Sequence, residues 1–260
     1  MNILDKIVLR KKEEVAEAKQ KVSVKELESN PNFQQQPLVF KDFLIDEKRT
    51  GIIAEFKRRS PSKGLINGTA NVTEVTKAYN LAGASALSIL TDTDFFGGKT
   101  EDLLQARTAN QIPILRKDFM IHEYQILEAK AWGADIILLI ASILTPQQII
   151  DFGKLAQSLG LNVLLEVHNL EELEKSICPN VNAIGVNNRN LGDFTVNIQT
   201  SFDLADKIPN EFLKISESAI DNPEVIKQLK AVGYNGFLIG ENFMKTVNPG
   251  KEILEFVKHL

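Results

Sequence analysis

The sequence predicts a TIM-type (β/α)8 barrel, an α/β fold, preceded by an N-terminal helical extension. Eight short apolar runs succeed one another from about residue 51, roughly every 27 residues. Amphipathic stretches of helical period separate them. The runs are apolar throughout rather than alternating, as in parallel strands covered on both faces. Repeated right-handed crossovers bring such strands side by side, and eight of them close into a barrel. An open, doubly wound sheet has the same periodicity, so the spacing alone does not decide closure.

Residues 1–50 stand outside the repeat and are read as the extension, with residues 51–260 as the catalytic barrel. Ile3, Leu4, Ile7 and Val8, followed by the charged run 11–21, predict an amphipathic helix. The segment 31–37 holds two prolines and three glutamines and reads as a loop, and Phe40, Phe43 and Leu44 start a short second helix. This extension is expected to pack over one end of the barrel, either as plain cover or as a lid. The predicted strands are 52–56, 86–91, 112–116, 135–141, 163–167, 183–186, 212–215 and 236–239. Between the first two, Val72, Val75, Tyr79 and Ala82 recur at helical spacing. Thr145-Pro146 with Gly160, and Asn222-Pro223 with Gly233, are start and stop signals of two later helices. Asn169 with Glu172 three residues on is a variant of the capping box.

Composition narrows the function. A net charge of −4 gives no electrostatic support to a nucleic-acid role. The lone Cys178 excludes an internal disulfide framework and fits a reducing cytoplasm, the expected compartment. No apolar run approaches the roughly 20 residues that span a bilayer, so no membrane partner is expected. His122, His168 and His259 share no metal-ligand spacing, and no metal or other cofactor is expected. The histidines, Trp132 and Cys178 are assigned no role. Assembly is not readable from the sequence, and a monomer is expected.

The most informative stretch runs from Ile52 to Gly64, because it begins as a buried strand and ends in charge. Glu55 and Lys57 share one strand face, and burying such charges costs several kcal/mol unless they are paired or used. Lys117 follows the third apolar run directly, and Glu166 ends the fifth on the face of Leu164. α/β barrels carry their chemistry at these strand ends. With Ser60, Phe95, Phe96, Phe119, Asn187, Arg189, Glu217, Ser218, Gly240 and Glu241, they assemble a face rich in lysine and carboxylate. There is no Ser-His-Asp set. That composition suits proton transfer on a small anionic substrate. Lys117 is either a surface lysine, an acid acting on a carbonyl oxygen, or a Schiff-base amine. Glu166 is either a base, an orienting group, or the ion-pair partner of a lysine. Residues 60–64 read as a plain turn or as a mobile loop over the site.

Taken together, these segments resemble the indole-3-glycerol-phosphate synthase family of tryptophan biosynthesis. The likeness is carried over nearly the whole chain by the stretch from Ile53 to Gly64, by Phe95-Phe-Gly-Gly98, and by Pro113-Ile-Leu-Arg-Lys-Asp-Phe119. It continues through Leu164-Leu-Glu-Val-His168, Ile184 to Leu191, Ser216-Glu-Ser218 and Phe237-Leu-Ile-Gly240. The resemblance implies a monofunctional enzyme that works without a cofactor. It would turn 1-(2-carboxyphenylamino)-1-deoxyribulose 5-phosphate into indole-3-glycerol phosphate, releasing CO2 and water. By the same resemblance Lys117 is the general acid, Glu166 the base of rearomatisation, and Lys57 an aid to dehydration. Glu55, Ser60 and Asn187 hold the substrate hydroxyl and the lysines, and Arg189 meets an anion. Phe96, Phe119 and Leu191 form the pocket for the anthranilate ring. The phosphate lies near Gly240, Glu241 and Ala219, and Glu217 and Ser218 are further substrate contacts.

One departure stands out: Ser218 is followed by Ala219, where the family commonly continues with glycine, and a methyl group there is expected to weaken phosphate binding without abolishing activity. Glu241 at the same end adds a negative charge. Two other functions fit the sequence less well. A phosphoribosylanthranilate isomerase would favour a cysteine–aspartate pair at strand ends, whereas Cys178 falls in a helix–strand connection. A non-catalytic sugar-phosphate-binding barrel would leave the lysine–glutamate set without purpose.

Overall fold

The computed structural model describes residues 3–190, 192 and 194–260. Eight of its strands form one closed parallel barrel: β1 (Ile52–Phe56), β2 (Ala86–Leu90), β3 (Ile114–Lys117), β4 (Ile136–Ile140), β5 (Asn162–Val167), β6 (Ala183–Asn187), β7 (Leu213–Glu217) and β8 (Gly236–Ile239). Each pairs with its neighbours in sequence, and β1 closes on β8 with Ile52 opposite Phe237 and Ala54 opposite Ile239. This closure rules out the open sheet.

Three predicted strands stop too early: β3, β6 and β7 end at Lys117, Asn187 and Glu217 rather than at 116, 186 and 215. Backbone pairing continues through Lys117, opposite Leu90, and through Glu217, opposite Asn187. The ladder is indifferent to side-chain polarity, which is what ended those runs on paper. Lys117 and Glu217 therefore sit within strands, where alternation fixes the side on which each points.

Before the barrel come α1 (Ile3–Lys21), α2 (Val24–Glu28) and α3 (Phe40–Leu44). Around it run α4 (Val72–Leu81), α5 (Thr100–Ala109), α6 (Glu123–Ala131), α7 (Pro146–Ser158), α8 (Leu170–Ser176), α9 (Gln199–Leu204) and α10 (Pro223–Ala231). The short α11 (Glu241–Met244) and α12 (Pro249–Val257) complete the chain. The punctuation in the sequence holds at the helix ends. Thr145 accepts from the Gln148 amide ahead of α7, and Asn169 accepts from that of Glu172 ahead of α8. Gly160 and Gly233 leave their helices at φ of 77° and 97°, a conformation that costs glycine nothing.

Residues facing outward from the strands, such as Ile52, Ile89 and Leu139, pack against the helix ring, where Tyr79 and Phe243 also lie buried. Inward-facing residues, among them Ile53, Leu115, Leu164 and Ile215, fill the barrel itself. The first helices do more than cover one end. α1 reaches the loop end, where the Lys11 ammonium lies 3.0 Å from Asp92 and 2.9 Å from Asp118. α3 sits at the opposite end. There the Leu38 amide donates to Asp135, the Phe40 amide donates to Asn162, and Leu44 packs beside Gly236. Between these ends, the predicted loop holds one 3-10 turn, Pro31–Gln34.

Candidate active site

Side chains inside such a barrel come in layers of four from alternate strands. On the odd strands one layer is Ile53, Leu115, Leu164 and Ile215, all fully buried. The next layer towards the loops, two residues further along each strand, is Glu55, Lys117, Glu166 and Glu217. One layer is oil, and the next is almost entirely charge. Glycines in β6 and directly after β8 make room for it. A Cβ at Gly185 would overlap the Glu217 carboxylate, and one at Gly240 would overlap that of Glu55.

The layer is wired through Lys117. Its Nζ lies 2.8 Å from Glu166 Oε2 and 3.0 Å from Glu217 Oε2. Glu166 Oε1 accepts from Asn187 Nδ2 at 3.1 Å, and Asn187 Oδ1 accepts from the Ser218 hydroxyl at 2.9 Å. Lys57 Nζ stands 2.8 Å from Glu55 Oε1. Burial alone would lower the pKa of Lys117, but the charges of Glu166, Glu217 and Glu55 outweigh it and hold the ammonium far above its ordinary range. The two carboxylates facing it separate. Burial would raise Glu166, yet Lys117 and His168 keep it well below the usual range. Burial, with Glu166 and Glu55 adding to it, pushes Glu217 up to about 7 against the pull of Lys117.

Above this floor opens a cavity of about 280 Å3. One wall is apolar: Phe96 and Phe119, with ring centroids 5.9 Å apart, together with Leu138 and Ile140. The other is polar: Ser60, Arg189, Ser218, Ala219, Gly240 and Glu241. The fold thus gathers fourteen of the residues singled out from sequence around one cavity: Glu55, Lys57, Ser60, Phe96, Lys117, Phe119, Glu166, Asn187, Arg189, Glu217, Ser218, Ala219, Gly240 and Glu241. Leu191 lies outside the described residues.

Several placements differ from expectation. Glu217, grouped with the substrate contacts, turns into the barrel and pairs with Lys117. Residues 59–65 form a small antiparallel hairpin, with Arg59–Ser60 paired to Gly64–Leu65, rather than a plain turn. Glu241 faces cations: Arg189 Nη2 lies 3.4 Å from Oε2, and Lys63 Nζ lies 3.6 Å from Oε1. Ser218 and Ala219 adopt φ of 66° and 59°, the left-handed region where glycine is at ease. Cys178 is buried in the α8–β6 connection and does not line the cavity, so no cysteine stands ready for isomerase-type chemistry.

Two groups escaped the sequence reading. His168, assigned no role, lies 3.4 Å from Glu166 and 3.0 Å from Glu172. Its signal was present, two residues after Glu166 on the same face and four before Glu172. The second group is Lys11 with Asp92 and Asp118. No local pattern announces it, because its members come from three distant parts of the chain.

The family profile described as indole-3-glycerol phosphate synthase matches residues 4–256. The chain belongs to the indole-3-glycerol phosphate synthase family. A curated indole-3-glycerol phosphate synthase from Bacteroides thetaiotaomicron is 47% identical over 257 residues, covering 99% of this chain and 98% of that protein. Among solved structures, an N-acetylmannosamine-6-phosphate 2-epimerase from Clostridium perfringens superposes with a TM-score of 0.58. It is 15% identical and covers 84% of this chain and 96% of its own. A thiamine phosphate pyrophosphorylase from Pyrococcus furiosus gives 0.57 at 16% identity, over 80% and 93%. These two share the synthase family's barrel, and at such identity the likeness is one of fold alone. Among the described residues no helix is long and apolar enough to cross a membrane.

Proposed function

We propose that this chain closes the indole ring of 1-(2-carboxyphenylamino)-1-deoxyribulose 5-phosphate, with the charged layer supplying and removing the protons. The carrying observation is Lys117, a buried ammonium held between carboxylates of opposite tuning at the floor of a half-apolar cavity. The substrate has matching halves: its aromatic ring suits the Phe96–Phe119 wall, and its polyol phosphate suits the polar one.

In the first step the ring carbon bearing the carboxylate attacks the ketone carbon, and Lys117 donates to the ketone oxygen as its charge grows. An ammonium fixed at that oxygen stabilises the transition state more than the ground state. The C–CO2 bond then breaks and its electron pair restores the aromatic ring. Dehydration follows: the new hydroxyl leaves as water with Lys57 assisting, and Glu166 takes the proton whose loss completes the pyrrole. Glu55, paired with Lys57, and Asn187, donating to Glu166, hold these groups in place. Ser60 binds the substrate hydroxyl and Arg189 an anion. The phosphate lies by Ala219, Gly240 and Glu241, where the first amides of α11 have no partner within the helix.

The test is indole fluorescence developed from this substrate by wild type and by Lys117→Ala. The variant is expected to keep its fold and lose a factor of about 10² or more in turnover. Near-normal turnover would remove Lys117 from the reaction. Tight binding without turnover in the wild type would favour the non-catalytic barrel.

A further inference from the structure

Behind Glu166, on the side away from Lys117, lies His168. It follows Glu166 by two residues, so both point to the same side of the chain where β5 ends. Its Nε2 faces Glu166 Oε1 at 3.4 Å, an ionic contact rather than a well-directed hydrogen bond. Its Nδ1 lies 3.0 Å from Glu172 Oε2, and the same oxygen accepts the His168 amide at 2.9 Å. Glu172 is itself fixed: Asn169 caps α8 by accepting the Glu172 amide at 2.8 Å, which turns that first-turn carboxylate back onto the imidazole. The capping geometry of one helix thus holds a histidine against a carboxylate of the cavity floor.

We propose that His168 is a positioning residue for the ring-closure reaction: clamped by Glu172, it keeps Glu166 ionised and aimed at the substrate. The inference rests on reading Glu166 as the base. Among the described residues, the ionisable groups in contact with the imidazole are Glu166 from β5 and Glu172 from α8. Leu4, Ser142, Asn187 and Asn188, from other elements, share with His168 a second cavity of about 400 Å3 and carry no ionisable side chain. The electrostatics agree with the geometry. Burial would lower the histidine's pKa, but its contacts with the two carboxylates, Glu166 and Glu172, raise it to about 10 from 6.5, so the ring is cationic at neutral pH. Glu166 therefore carries three donors or cations from three elements: Lys117, Asn187 and His168. Such a carboxylate keeps its charge and its direction.

The experiment pairs a pH–rate profile with a nuclear magnetic resonance titration of the histidines. His168→Gln removes the cation, so the pKa of Glu166 rises and the acid limb of kcat moves to higher pH. A shift of about one unit is expected, so that turnover on the acid limb, well below pH 6, falls up to about tenfold below wild type, while turnover near neutral pH and KM are little changed. In the wild type the His168 resonance should remain that of an imidazolium past pH 8, and Glu172→Gln should bring its titration down towards the ordinary value. If His168→Gln does not fold, Glu172→Gln keeps the ring in place and carries the same test of the acid limb. A folded His168→Gln with an unmoved acid limb overturns the proposal, and so does a wild-type His168 that titrates near 6.5. Glu166→Gln separates the two readings. If it turns over normally, Glu166 is not the base. The ion pair is then judged by whether the His168 titration falls in that variant.

Discussion

Lys117 and Asp118 are adjacent in sequence, yet they belong to two buried ion clusters of opposite character. Asp118 faces outward, towards α1. Its Oδ1 receives Lys11 Nζ at 2.9 Å and the Phe119 amide at 2.8 Å, and its Oδ2 receives the Thr91 hydroxyl at 2.6 Å and Arg116 Nη2 at 3.1 Å. Burial would raise this carboxyl, but Lys11 and Arg116 hold it well below its usual range. Glu217 faces inward. It has one charged donor, Lys117 at 3.0 Å, and its other oxygen is buried without a hydrogen bond. Burial, with two neighbouring carboxylates, lifts it to about 7. A carboxylate with four donors is a fixed charge that ties α1 to the barrel. A carboxylate left short of donors can change its charge at working pH, as a site for proton traffic requires.

The largest expected effect is on the saturated cluster. Lys11→Met removes the cation shared by Asp92 and Asp118 and leaves charge buried without its partner. A loss of about 3–5 kcal/mol is expected in denaturant unfolding. A loss below about 1 kcal/mol would mean that this cluster behaves like a surface pair, and the contrast would collapse.

The next effect separates the clusters by pH. A carboxyl raised from 4.5 to about 7 binds more protons folded than unfolded across that window. Its folded state therefore loses stability as pH rises through the window, by roughly 2–3 kcal/mol. Glu217→Gln lacks that slope, so its stability relative to wild type should climb between pH 5 and pH 8. Asp118→Asn should show a penalty that stays flat over the same range. The lowered pKa of Asp118 gives stability that is present above the unfolded pKa of about 3.9 and is lost only in more acid solution. Parallel unfolding curves for both variants across that pH range would refute the distinction.

The two clusters also differ in how far the sequence reveals them. Glu55, Lys117 and Glu166 stand out because each interrupts an apolar strand, and a local rule about buried charge picks them up. Glu217 is legible as a site residue but not as part of a strand. Ser216 and Glu217 look like loop by polarity, and only the pairing of Asn187 with Glu217 shows the strand continuing. The barrel's period was equally legible, since each strand must be apolar on both faces. Lys11, Asp92 and Asp118 were illegible for a physical reason. Lys11 sits in a helix crowded with charges, and only tertiary packing decides that it alone among them is buried, at 3% exposure. His168 fell between these cases, being visible as a neighbour of Glu166 but uninformative until α8 turned Glu172 onto it.

The smallest effect concerns the turn after β7, at Ser218 and Ala219. Ser218 and Ala219 both hold positive φ, and for a residue with a Cβ this costs about 1–2 kcal/mol. The turn is kept in place from outside. The Ser218 hydroxyl donates to Asn187 Oδ1 at 2.9 Å, and Asn188 Nδ2 donates to the Ser218 carbonyl at 3.2 Å. Ala219 has no side-chain polar group to share in that network, so its strain is uncompensated locally. Ala219→Gly should relieve the strain, and the freedom glycine adds to the unfolded chain takes back part of the gain. A net stabilisation of about 0.5–1 kcal/mol is expected. The same change removes a methyl group from the cavity wall beside Gly240. If the phosphate lies there, KM should fall while kcat stays the same, as expected for an interaction made equally in ground and transition states. Lower KM without added stability would assign the cost of Ala219 to space rather than to backbone strain. Added stability without lower KM would move the phosphate away from this turn.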